Sequence, residues 1–92
     1  MTKETFIIEN STGIHATPAS LFVKKAREFK SKVELTAKGR TIDAKSIIMV
    51  MGLGLSKGTE VVITADGPDE KVAVKELVSL VHSFKTSEDK KM

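Results

Sequence analysis

The sequence predicts an α+β protein of the open-faced β-sandwich class: a four-stranded, mainly antiparallel sheet with three helices on one face, in the order βαββαβα. Three observations carry this reading. Four short segments have strand-like patterning, two longer segments repeat their apolar residues at helical spacing, and one pair of strand segments is joined by a tight turn. Two amphipathic helices need an apolar surface to cover, and one face of a single sheet supplies it.

Thr5 to Glu9 alternates as a strand and ends in the turn-forming Asn10-Ser11-Thr12-Gly13, and His15 follows that turn. From Pro18 to Phe29, the residues Leu21, Phe22, Val23, Ala26 and Phe29 recur at helical spacing, with Lys24, Lys25, Arg27 and Glu28 opposite. Pro18 suits the first helical turn, where a missing N–H costs nothing. Val33, Leu35 and Ala37 alternate with Glu34 and Thr36. Lys38-Gly39 then turns the chain into Arg40-Thr41-Ile42-Asp43, completing a hairpin on which Arg40 and Asp43 are expected to pair at the surface. Lys45 to Gly52 reads as a short apolar helix that Ser46 caps and Gly52 or Gly54 ends. Glu60 to Ala65 is the last strand. Gly67-Pro68-Asp69-Glu70 starts the last helix, whose apolar stripe is Ala73, Leu77, Leu80, Val81 and Phe84. Asp69 and Glu70 suit the helix dipole there.

Ninety-two residues make one domain, 1–92, with 86–92 expected as a frayed polar tail. The absence of cysteine excludes disulfides, thiolate metal sites and a thiol nucleophile, and fits a reducing compartment. No stretch is apolar enough for secretion or membrane insertion, so a cytoplasmic location is expected. Fifteen basic against twelve acidic residues give a net charge of +3, a mildly basic surface rather than a polycation. Lys24, Lys25, Arg27, Lys30 and Lys32 cluster, but there is no Tyr or Trp to stack on bases, and Phe22 and Phe29 fall on the core face. The cluster suits an acidic protein partner better than nucleic acid.

The chemistry concentrates in Gly13-Ile14-His15-Ala16-Thr17-Pro18-Ala19, which puts a histidine just ahead of a helix start. A helix start exposes N–H groups without intrahelical partners and carries partial positive charge, so a phosphate on the preceding ring is stabilised. Imidazole is a good nucleophile near neutral pH and a good leaving group when protonated. His15 is therefore the candidate phosphoryl acceptor and donor. The backbone N–H groups of Ala16 and Thr17 are the anion-binding groups, and Pro18 fixes the helix start. No cofactor and no metal site is expected: cysteine is absent and His82, late in the last helix, has no nearby histidine.

Gly13-Ile14-His15-Ala16 with Pro18-Ala19, then Lys45-Ser46-Ile47 with Val50-Met51, then Gly58-Thr59-Glu60, resemble the HPr family, the histidine-containing phosphocarriers of the bacterial sugar phosphotransferase system. The resemblance spans nearly the whole chain. It implies that His15, through its Nδ1 atom, takes a phosphoryl group from enzyme I, itself charged by phosphoenolpyruvate, and passes it to a sugar-specific enzyme IIA. Such a protein is a carrier and not an enzyme, and docking sequential partners is simplest for a monomer. Ser46 matches a position that in low-GC Gram-positive members is a regulatory site for an ATP-dependent kinase. That adds a serine kinase/phosphorylase and a catabolite-control transcription repressor to the expected partners. On the residues alone Ser46 is an N-cap. The docking residues expected are Ser20, Lys24 and Arg27 on the first long helix and Ile47, Ile48 and Met51 on the short one.

Two positions depart from the family pattern. Ile48-Met49 stands where members commonly have Met then Gly, which bears on kinase and repressor recognition. Thr17 stands where they usually have arginine, whose guanidinium gives phosphate and partner carboxylates a bidentate, permanently charged contact. Transfer through His15 is therefore expected to be slower than in members with arginine. The alternative reading is a Ser46-dependent regulatory module of the same fold, with His15 transfer impaired by Thr17.

Overall fold

The structure, a computed structural model, describes residues 1–9 and 16–89, the side chains of residues 16, 17 and 85–89 excepted. Within it the elements run β1 (Thr2–Ile7), α1 (Ala16–Ala26), β2 (Lys32–Ala37), β3 (Arg40–Asp43), α2 (Ile47–Gly52), β4 (Glu60–Asp66) and α3 (Glu70–Asp89). The strands form one sheet in the order β1-β4-β2-β3, and all three pairings are antiparallel. Phe6 lies opposite Val61, and Leu35 lies opposite both Ile63 and Ile42. With a side-chain period of two, this register sends one row of every strand to the same face. The apolar members of that row, from Phe6 on β1 to Ile42 on β3, with Ile8 just beyond β1, are buried beneath the helices.

Helix α1 buries Ala19, Phe22, Val23 and Ala26, the i, i+3, i+4, i+7 stripe of a helix lying on a core. Leu21, expected on that stripe, is 48% exposed. It stands roughly 200° round the helix from Ala19 and so cannot share its face. The helix starts at Ala16, earlier than Pro18, and ends at Ala26, with Phe29 half-buried against the core in the following turn. Helix α3 buries Ala73, Val74, Leu77, Val78, Val81 and Phe84. It continues to Asp89, through part of the segment expected as a tail. Residues 90–92 of that segment lie outside the described residues. One void in the core, lined by apolar side chains such as Phe22, Leu35 and Val50, measures about 10 Å³, at the lower limit for one water.

The hairpin turn Lys38-Gly39 is left-handed at both residues, φ 54° and 77°. Glycine takes that conformation freely, whereas an L-residue with a side chain gives up about 1–2 kcal/mol.

The entry to α3 is tied to the turn that follows α1. The Asp69 carboxylate accepts the backbone N–H groups of Lys30 and Ser31, each at 2.9 Å, and the hydroxyl of Ser31, which is 1% exposed. Gly67 packs so closely on Ser31 that a Cβ there would fall 2.6 Å from its Cα. Next in the chain, Glu70 accepts the Thr2 hydroxyl at 2.6 Å and the Gly67 N–H at 3.2 Å, and it pairs with the amino group of Met1 at 3.0 Å. The Ser31 hydroxyl chiefly, with the backbone N–H groups, pulls the Asp69 carboxyl down to about 2, and the Thr2 hydroxyl leads the pull on Glu70 down to about 2.

Both carboxyls titrate well below their unfolded values of about 4, so they contribute stability above that pH, and the contribution is lost as pH falls from about 4 towards 2. Urea-unfolding midpoints should decline across this window. Asp69→Asn should lower the midpoint at pH 6 and flatten the acid decline. An Asp69→Asn chain with the wild-type acid profile would count against this assignment.

Candidate functional site

Two of the expected site positions begin α1. Ala16 and Thr17 are its first two residues and Pro18 its third. The first N–H groups of a helix have no carbonyl partner within it, and proline has none to offer. The donors of the first turn are therefore those of Ala16, Thr17 and Ala19, at the end of the helix that directly follows His15 in sequence. His15 itself lies outside the described residues, as do the side chains of Ala16 and Thr17.

The other half of the candidate surface is α2. Ser46 is its N-cap, extended at φ −111°, and its Oγ accepts the Met49 N–H at 3.4 Å while its carbonyl accepts that of Val50 at 3.0 Å. The half-buried Ser46 hydroxyl thus serves as a cap. Of the apolar residues that follow, Val50 is fully buried and Ile47 packs partly on the core, whereas Ile48 is 81% and Met51 45% exposed. Met49 is exposed as well.

A reciprocal contact sets the two helices side by side. Arg27 Nε donates to the carbonyl of Lys45 at 2.9 Å, and Lys45 Nζ donates to the carbonyl of Phe29 at 2.8 Å. Asp43 accepts the Lys45 N–H at 2.9 Å and holds the same segment from the hairpin side. Between the helices lies a groove of about 230 Å³ lined by Ser20, Val23, Lys24, Arg27 and Ile47. Four expected docking residues, Ser20, Lys24, Arg27 and Ile47, therefore share one depression. Ile48 and Met51 stand out from α2.

The basic cluster read from sequence divides in the structure. Lys25 is committed to Glu76 at 2.9 Å and Glu28 at 3.4 Å, and it lies 5.9 Å from the Phe29 ring centroid. Its pKa is raised, mainly by the hydrogen bond to Glu76. Lys32 pairs with Glu34 at 3.7 Å on β2. Lys24 and Arg27 bring positive charge to the groove. Arg40 does not pair with Asp43: its guanidinium donates to the carbonyl of Gly52 at 3.3 Å, and Asp43 is occupied with Lys45.

Sequence reading missed Lys45, although a signal was there. A lysine directly before an N-cap opposes the helix dipole, so its ammonium has reason to turn elsewhere. His82 is exposed, and among the described residues no three His, Cys, Asp or Glu side chains group as metal ligands.

The family comparison bears directly on this arrangement. A family model described as the PTS HPr component phosphorylation site matches residues 2–83. The chain belongs to the HPr family. It is 41% identical over 85 residues to the phosphocarrier protein HPr of Borreliella burgdorferi, covering 92% of this chain and 99% of that protein. It is similar to the crystal structure of HPr-C-His from Thermoanaerobacter tengcongensis, with TM-score 0.89, 42% identity, and coverage of 94% and 97% of the two chains. It also resembles Crh, the catabolite repression protein of Bacillus subtilis, solved as a swapped, intertwined dimer, with TM-score 0.72, 40% identity, and coverage of 90% and 95%. Phosphocarrier HPr proteins of the phosphotransferase system, and a relative named for catabolite repression, thus share the fold that brings α1 and α2 together here.

Two residues apart on α2, opposite outcomes are expected. Val50→Ala opens space in the core and should cost about 1–3 kcal/mol. Ile48→Ser removes an exposed side chain and should change stability by no more than about 0.5 kcal/mol. Urea denaturation of both variants checks this, and comparable losses would mean that α2 buries Ile48.

Proposed function

We propose that this chain is a phosphocarrier of the phosphoenolpyruvate:sugar phosphotransferase system, accepting a phosphoryl group on His15 from enzyme I and passing it to enzyme IIA. The observation that carries the reading is the family match over residues 2–83, with His15 immediately before a helix start. As the ring nitrogen forms its bond to phosphorus, the bond from phosphorus to the donor atom of enzyme I breaks. At enzyme IIA an acceptor atom of that protein bonds to phosphorus as the nitrogen–phosphorus bond breaks, and the electron pair of that bond returns to the ring. The Ala16 and Thr17 N–H groups stabilise the phosphoryl oxygens, and Pro18 fixes φ early in the helix. Partners dock on Ser20, Lys24, Arg27, Ile47, Ile48 and Met51, where cations flank apolar side chains and suit an acidic partner with an apolar centre. The protein works as a cytoplasmic monomer and holds no catalytic machinery of its own.

Ser46 is the regulatory position. Phosphate at this cap places a dianion beside Ile47 and Ile48, repelling an acidic partner and offering a charge to a basic regulator. A serine kinase/phosphorylase and a catabolite-control repressor are the partners for that state. The carrier role is preferred to a purely regulatory one because His15 is retained and the curated relative is named a phosphocarrier.

Incubation with phosphoenolpyruvate and enzyme I should yield an acid-labile phosphoprotein, and His15→Ala should abolish it. Acid-stable phosphate on Ser46 alone, formed with ATP and the kinase, would sink the carrier reading. Restoring the charged contact with Thr17→Arg should speed transfer from enzyme I by roughly ten- to hundredfold, the worth of a hydrogen bond to a charged group made in the transition state. An unchanged rate would show that this chain does not need the guanidinium.

A further inference from the structure

Helix α2 has only six residues, too few to hold its shape in water by its own hydrogen bonds. Its start is fixed by the Ser46 cap and the Arg27–Lys45 contact, and its end depends on the hairpin. The carbonyls of Val50 and Met51 accept the N–H groups of Leu53 and Gly54, both at 3.2 Å, in a tightened last turn. The next exposed acceptors receive cations from outside the helix. Arg40 Nη1 reaches the Gly52 carbonyl at 3.3 Å, and Lys38 Nζ reaches the Gly54 carbonyl at 2.7 Å.

Lys38 is the notable partner. It occupies the first position of a two-residue hairpin turn at φ 54°, where Asn, Asp or Gly is the usual choice, and among the described residues no other non-glycine residue has positive φ. A better turn residue would have too short a side chain to reach Gly54. The strained backbone and the 2.7 Å contact together indicate a lysine that serves the helix at the expense of the turn. Its positive charge also lies where the carbonyl end of a helix favours one.

We infer that Lys38 is a positioning residue for phosphoryl transfer: from the hairpin tip it holds the carboxyl end of α2 and so presents Ile48 and Met51 at the angle partners meet. It acts through α2, not on the phosphoryl group, so its loss raises the KM of enzyme I for this carrier and leaves kcat alone. This rests on the phosphocarrier reading proposed above.

Lys38→Asn relaxes the turn while removing the ammonium, Lys38→Met keeps the reach without the charge, and Lys38→Arg restores both. Amide hydrogen exchange and steady-state transfer from enzyme I are measured on each. Lys38→Asn and Lys38→Met should speed exchange at Leu53 and Gly54 and raise KM for the carrier by about three- to tenfold at unchanged kcat, and Lys38→Arg should restore both. Lys38→Asn should at the same time slow exchange in the hairpin, which shows that the chain remains folded. Wild-type exchange at Leu53 and Gly54 in both charge-removing variants overturns the inference, as does wild-type KM. If the unaltered chain accepts no phosphoryl group from enzyme I, the carrier reading fails, and the exchange data alone decide whether Lys38 holds α2.

Discussion

The candidate surface depends on the reciprocal contact between Arg27 and Lys45. Each side chain donates to a backbone carbonyl of the other's neighbourhood, Lys45 O for Arg27 and Phe29 O for Lys45, so that the end of α1 and the approach to α2 are joined twice. Carbonyl acceptors suit this task, because two side chains of like charge have no direct attraction and are brought together only by sharing backbone partners. With that joint in place, Val23 and Ile47 share the groove and Lys24 stands beside them. Without it, a six-residue helix at the sheet edge would be tied to its surroundings by the buried Val50, the partly buried Ile47 and the contacts of Lys38 and Arg40 at its far end, with nothing joining its start to α1.

Charge is apportioned among these tasks with little redundancy. Lys25 is taken up by Glu76 and Glu28, Arg40 and Lys38 by carbonyls at the end of α2, and Lys45 by the turn after α1. The formal excess of +3 therefore understates how selectively the groove is furnished, since many of the basic side chains serve structure. The acidic side is organised too. Asp69 and Glu70 gather hydroxyl and N–H donors around the entry to α3 and fix the helix that backs α1.

The fold was legible because period-two and helical patterns agree along the chain. Val33, Leu35 and Ala37 all face inward, and Ala73, Leu77, Val81 and Phe84 form one stripe. Leu21 breaks the pattern because it is apolar in an amphipathic segment, yet its angle round the helix sets it off the buried stripe. Arg40 and Asp43 misled because proximity in sequence suggested a pair, whereas tertiary partners at Gly52 and Lys45 were unavailable to local reasoning. Of the site, Ser46 as a cap was readable from its place before an apolar run, whereas which of Ile47, Ile48 and Met51 stand exposed was not, since a short apolar helix does not show which of its residues face the core. The ties of Arg27, Lys45 and Lys38 were not, since all three end on backbone carbonyls, which carry no mark in a sequence.

On the proposed phosphocarrier reading, α1 and α2 joined in this way form one docking face and not two neighbouring sites. The most direct measurement is a titration of the isotope-labelled chain with enzyme I, followed by backbone amide shifts. The account predicts that Ser20, Lys24 and Arg27 on α1 and Ile47, Ile48 and Met51 on α2 shift together along one binding curve, with the open face of the sheet unaffected. Shifts confined to α1, or α2 residues responding with a separate affinity, would contradict it.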